Sequence, residues 1–161
     1  MVKHGLPALE PLLPSGWYTK MRSSWPSVMG LFYALVGFSH FTNLKDTCNI
    51  CPGKGAWGFW YVPGNASLHV KWTGIAEIVG GCCLAAVGLG VPGAADLAGG
   101  LLLKRVALGL FALTVAVTPA NIYMFTHGAE LPPGCKLPVW AHVVRGGIQS
   151  LFLSILWTIA H

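Results

Sequence analysis

A single carboxylate, Glu77, interrupts an apolar run from Trp72 to Ala95. A run of that length covers the roughly 20 residues that a helix needs to cross a bilayer. A carboxylate inside such a helix is expensive unless it faces a protein interior and finds a partner. Arg145 is the cation placed to answer it. His142, Arg145 and Gln149 fall on one helical face, and His40 and Asn121 lie at a matching depth of their own segments. The spacing predicts a buried polar cluster of His40, Glu77, Asn121, His142, Arg145 and Gln149, with Glu77 ion-paired to Arg145. Left unpaired, either charge would cost on the order of several kcal/mol. Such a cluster has two uses. It can fix helix register as hydrogen-bonding glue, or it can receive the polar head of a quinone, a pigment or a lipid.

Thiols and imidazoles offer further chemistry. Cys48-Asn49-Ile50-Cys51 is a C-x-x-C pair, and Cys135 lies in a later loop on the same side. A structural disulfide, within the pair or from one member to Cys135, is one reading; thiol redox chemistry and a zinc site with His69 as fourth ligand are others. Cys82 and Cys83 fall mid-helix as small apolar packers. His40, His127 and His142 are candidate axial ligands for a chlorophyll magnesium or a haem iron, and otherwise hydrogen-bonding groups at helix ends. Asn65-Ala66-Ser67 matches a glycosylation sequon. No nucleophile elbow, phosphate loop or zincin motif occurs, so no complete catalytic set is present.

The elements that position these residues follow from composition. Of 161 residues, 54% are hydrophobic and 9% charged, against roughly 25% charged in soluble domains. The chain is expected to be an all-α, multi-pass integral membrane protein, a four-helix bundle over residues 25–161. Its spans fall at about 26–44, 72–91, 106–126 and 139–160. Residues 1–24 read as a proline-punctuated surface arm carrying Trp17 and Tyr18. Pro7, Pro11 and Pro14 break any secretory apolar core. Pro26 suits the first turn of span one. Residues 45–71 read as a long, aromatic first loop without regular helix. Pro119 should kink span three. Gly30, Ala34 and Gly37 in span one, and Gly74, Gly81, Ala85 and Gly88 in span two, form small-residue stripes that admit a close neighbour. The net charge of +5 is spread thinly over loops and reads as topology and lipid-headgroup contact; no basic stripe for nucleic acid exists.

Five motifs in order, Phe38-Ser39-His40-Phe41, Trp72-Thr73-Gly74-Ile75-Ala76-Glu77-Ile78, Lys104-Arg105-Val106-Ala107, Thr118-Pro119-Ala120-Asn121-Ile122-Tyr123-Met124 and His142-Val143-Val144-Arg145 with Ile148-Gln149, resemble the DoxX-like membrane protein family over about residues 28–158. The resemblance implies a four-helix membrane bundle with Glu77, Asn121, Arg145 and Gln149 as its polar positions. It also implies a link to quinone-dependent oxidoreductase subunits, and an animal relative looks like a receptor-assembly chaperone. The long arm and the cysteine-bearing first loop depart from that pattern and read as contact surfaces. The expected role is a non-catalytic subunit of a larger photosynthetic or respiratory membrane complex such as a photosystem, in a thylakoid or inner mitochondrial membrane. It would contact other membrane subunits, the lipid bilayer and a chlorophyll, quinone or lipid. The alternatives are a quinone-linked redox component using Cys48 and Cys51, and an assembly chaperone.

Overall fold

The computed structural model describes residues 15–94, 101–128 and 137–161. Among them the chain is all-helical: α1 (Trp17–Thr42), α2 (Leu44–Asn49), a 3-10 turn (Ala56–Gly58), α3 (Ala66–Gly88), α4 (Leu101–Ala116), α5 (Thr118–His127) and α6 (Val139–Ala160). Three stretches, Ala66–Gly88, Leu101–His127 and Val139–Ala160, are long and apolar enough to cross a membrane. The chain is thus of the multi-pass membrane class. α1 has the length, but Ser24, Ser27, Tyr33, Ser39 and His40 make it less apolar.

Two boundaries differ from expectation. α1 begins at Trp17, so Pro26 lies inside it rather than in its first turn. The proline ring removes one backbone donor. Two serine hydroxyls add bonds around that turn, Ser23 Oγ to the Lys20 carbonyl and Ser27 Oγ to the Ser24 carbonyl, both at 2.8 Å. The last residues assigned to the surface arm are therefore helical, and residues 1–14 lie outside the described residues. The first loop also contains more regular structure than its prolines and glycines suggest. α2 follows α1 almost directly, and α3 starts at Ala66, ahead of Trp72. Asn65 sets that start: its backbone is extended and its side chain accepts the Leu68 N–H at 2.8 Å, the bond of an N-cap.

The far end of α3 closes on a Schellman motif. Gly90 takes φ +71, its N–H bonds the Val87 carbonyl, and the Val91 N–H bonds the Ala86 carbonyl. A side chain would resist that left-handed backbone. In the third apolar stretch Pro119 has no N–H for the Val115 carbonyl. The helix divides at Val117 into α4 and α5, with Pro119 in the first turn of α5. The break lies where the proline predicts it.

The closest packing joins α1 to α3. Gly30 faces Gly81 and Ala85, Gly37 faces Gly74, and Gly88 faces Ser27, backbone against backbone. Glycine is what permits this approach: a Cβ at Gly81 would sit 2.5 Å from the Ala34 nitrogen. α4 packs on α3 and on α6, and α1 meets α6 only thinly. The apolar core gathers Met29, Tyr33, Leu84, Ala107, Leu110, Leu113, Leu156 and Ala160 from α1, α3, α4 and α6. Outward faces remain apolar, with Leu35, Phe38, Val143 and Trp140 exposed, as lipid contact requires.

Candidate functional site

The glycine seam of α1 and α3 places His40 directly against Glu77. The carboxylate is buried, at 5% exposure, and His40 Nε2 lies 3.6 Å from its Oε2. His40 Nδ1 is 3.2 Å from the Val70 carbonyl. A carbonyl can only accept, so Nδ1 carries a proton and Nε2 is the nitrogen turned toward Glu77. Among the described residues Glu77 Oε2 has no hydrogen-bond partner. This corrects the expected ion pair: Glu77 faces His40, and Arg145 bonds elsewhere.

Arg145 heads a second network across α4, α5 and α6. Its Nη2 donates to Asn121 Oδ1 at 2.8 Å. Asn121 Nδ2 donates to Gln149 Oε1 at 2.8 Å, and Gln149 Nε2 donates to Thr118 Oγ1 at 2.6 Å and to the Thr114 carbonyl at 3.3 Å. Arginine has no acceptor, so it fixes the orientation of both amides in turn. The chain ends at the Pro119 break, where Thr118 Oγ1 also donates to the Thr114 carbonyl at 3.0 Å. Thr114 Oγ1 uses its own hydrogen on the Leu110 carbonyl at 2.7 Å, so Tyr33 donates to it at 2.6 Å and ties α1 to α4. Tyr33, Thr114 and Thr118 were not among the expected polar cluster. For Thr114 and Thr118 the signal available in the sequence was their position just before Pro119, where a broken helix leaves carbonyls to attract hydroxyl and amide donors; Tyr33 carried no such signal.

Both networks border one cavity of about 940 Å³. His40 and Glu77 stand on one wall, and Asn121, Arg145 and Gln149 on another. Phe32, Val36, Ile148 and Phe152 supply apolar lining, and Cys51, Pro52 and Trp60 of the first loop also line it. That loop is anchored by Trp57, whose Nε1 donates to Thr126 Oγ1 at 3.1 Å and whose ring packs edge-on against Tyr123 and His127.

The remaining candidates separate from the cavity. His142 packs against Phe125, with ring centroids 5.2 Å apart, and is absent from both networks. His127 stacks on Tyr123 at 4.3 Å. Thr126 Oγ1 spends its hydrogen on the Ile122 carbonyl, so His127 Nδ1 donates to that hydroxyl at 2.8 Å, leaving Nε2 as the nitrogen able to ligate a pigment. His69 is unsuited to the zinc role: Nε2 donates to the Pro63 carbonyl at 2.9 Å and Nδ1 accepts from Trp72 at 3.3 Å. No metal-holding group of three or more such side chains occurs among the described residues. Cys48 and Cys51 are free thiols, so the disulfide expected within the pair is not formed. The Cys51 thiol instead turns toward the Thr47 carbonyl, 3.9 Å away, at the end of α2. Burial, and then the neighbouring Cys48, pushes the Cys51 thiol up to about 11. Cys135 lies outside the described residues. Cys82 is exposed on the outer face rather than packed inside. No known protein family, curated protein or solved structure matches this chain.

Proposed function

We propose that this chain is a four-span membrane subunit whose internal cavity holds the polar head of an amphiphile. The observation that carries the reading is the convergence of Arg145, Asn121 and the His40–Glu77 pair on one largely apolar cavity of about 940 Å³. Small-molecule sites commonly fall in the range of about 300–1,000 Å³, with a few placed polar groups in an apolar lining. Arg145 supplies the anchor. Among the described residues its guanidinium reaches only Asn121 Oδ1 and, at 4.0 Å, Met124 Sδ, and no carboxylate lies within ion-pairing distance of it. Its remaining N–H groups suit an acceptor-bearing or anionic head. The fourth span in this reading is α1, which lies along α3 and shares its glycine seam.

A second observation favours assembly with other membrane subunits. On α6, methyl groups added at Gly146 or Gly147 would meet nothing within 4 Å, and Ser150 is exposed on the same side. An outward strip of small residues admits a neighbouring helix. The thiol-redox alternative draws less support, because a Cys51 thiol pushed up to about 11 is a poor nucleophile near neutral pH.

Purification in mild detergent, followed by native mass spectrometry, tests both readings. The wild type should carry a bound amphiphile, and Arg145→Gln and Asn121→Leu should each retain it at least about tenfold less, a loss of about 1.4 kcal/mol. An empty wild type, or full retention in both variants, would overturn the cavity reading. Recovery only as a lone chain would overturn the assembly reading.

A further inference from the structure

Glu77 is the cavity group that the fold leaves unanswered. It is buried, and its Oε2 is sealed and takes no hydrogen bond from the described residues. His40 does not supply one. At 3.6 Å the pair is beyond hydrogen-bond reach. In its neutral form, with the Nδ1 proton committed to the Val70 carbonyl, the ring offers only the Nε2 lone pair. Thr73 Oγ1 also bonds that carbonyl, at 3.1 Å, and so helps fix its position. Both side chains line the same cavity, and because Oε2 is sealed the cavity meets the Glu77 carboxylate at its other oxygen. A nitrogen with several N–H groups donates both to that oxygen and to His40 Nε2, at the usual charge-assisted distance of roughly 2.8 Å; a single hydroxyl serves only one of them.

Arg145, lining the same cavity, asks for the opposite chemistry. A cavity that displays a carboxylate faced only by His40, and a guanidinium with no carboxylate bonded to it among the described residues, is matched by a head that carries both signs. We propose that the occupant is an aminophospholipid. Its primary ammonium bridges Glu77 and His40, its phosphate faces Arg145, and its acyl chains lie along Phe32, Val36, Ile148 and Phe152. This rests on the amphiphile reading above and specifies its head group.

The test uses the intact purified chain in detergent, titrated with phosphatidylethanolamine or phosphatidylcholine of identical acyl chains and followed by native mass spectrometry. These lipids share phosphate and tails and differ in their N–H donors. Phosphatidylethanolamine should bind at least tenfold more tightly. The N-methylated and N,N-dimethylated intermediates should fall stepwise between the two, a series that needs no mutation and so does not depend on variant folding. Glu77→Gln should abolish the preference for phosphatidylethanolamine over phosphatidylcholine. Equal binding of the two lipids would overturn the aminophospholipid assignment and leave the amphiphile reading standing. Binding of neither would overturn both. Tighter binding of soluble glycerophosphoethanolamine than of phosphatidylethanolamine would make the ligand a water-soluble compound and overturn the lipid assignment.

Discussion

Replacing Gly81 by alanine adds one methyl group at the tightest part of the molecule. That methyl would lie 2.5 Å from the Ala34 nitrogen and 2.6 Å from the Gly30 oxygen. Both obstacles are backbone atoms, so neither can swing aside. Ordinary contact begins near 3.4 Å, and α1 and α3 would have to part locally by about 0.9 Å (3.4 − 2.5). A gap of 0.5–1 Å forfeits roughly a quarter to a half of each dispersion contact. Here it would also loosen the neighbouring approaches of Gly37 to Gly74 and Gly88 to Ser27. Overpacking typically costs about 1–3 kcal/mol; rigid backbone obstacles place Gly81→Ala at or above the upper end. Alanine returns up to about 1 kcal/mol of helix propensity, for a net loss of about 2 kcal/mol. Gly146→Ala is the matched control. It makes the same chemical change inside a helix with nothing within 4 Å, and should be neutral or stabilising by up to about 1 kcal/mol. Reversible unfolding in mixed micelles, followed by the fluorescence of the 7 tryptophans, measures both variants. Wild-type stability in Gly81→Ala, or equal losses in the two, would refute the backbone seam.

Two further outcomes follow from the first loop. Trp57→Ala removes the indole bond to Thr126 and the ring contacts to Tyr123 and His127, so amide exchange across residues 52–64 should rise while global stability shifts by less than about 1 kcal/mol; unchanged exchange would show that Trp57 is no anchor. At Cys51 the raised thiol pKa keeps the side chain protonated through neutral pH and releases the thiolate only toward about 11, so peptide-mapped iodoacetamide labelling of this residue should climb about tenfold per pH unit from about pH 7 to 10, and a plateau below about pH 9 would contradict its burial.

The sequence carried depth and face but not direction around the bundle. Apolar length marked the helices, and Pro119 marked the break between α4 and α5. The stripes at Gly30, Gly37, Gly74 and Gly81 signalled a close neighbour, and the structure makes each stripe the other's neighbour. His40, Glu77, Asn121, Arg145 and Gln149 could be gathered from spacing, but spacing does not say which helix lies beside which. α6 packs on α4 and α1 packs on α3, so Arg145 finds Asn121 while Glu77 finds His40. Helix starts were hidden by local exceptions. Pro26 looks like a first-turn residue yet sits inside α1, and Asn65 looks like part of a sequon yet caps α3. His142 shares a face with Arg145 by periodicity, but it packs against Phe125.

The way these polar groups are connected bears on what the site is for. Residues that only held the helices together would bond across the interior, because a bond within one pair of helices cannot join that pair to the next. Tyr33 does so, reaching from α1 to Thr114 on α4. The charged groups do not. Arg145, Asn121 and Gln149 satisfy one another on the α4, α5 and α6 side, and Glu77 stays with His40 on the α1 and α3 side. The cavity is lined from both sides, and α1 meets α6 only thinly. A carboxylate and a guanidinium that border one low-dielectric space have strong reason to pair. In this fold they are kept apart, with hydrogen-bonding capacity left on each. Glue explains the tyrosine bond but not the separation of the charges, which is what the proposed head-group site requires.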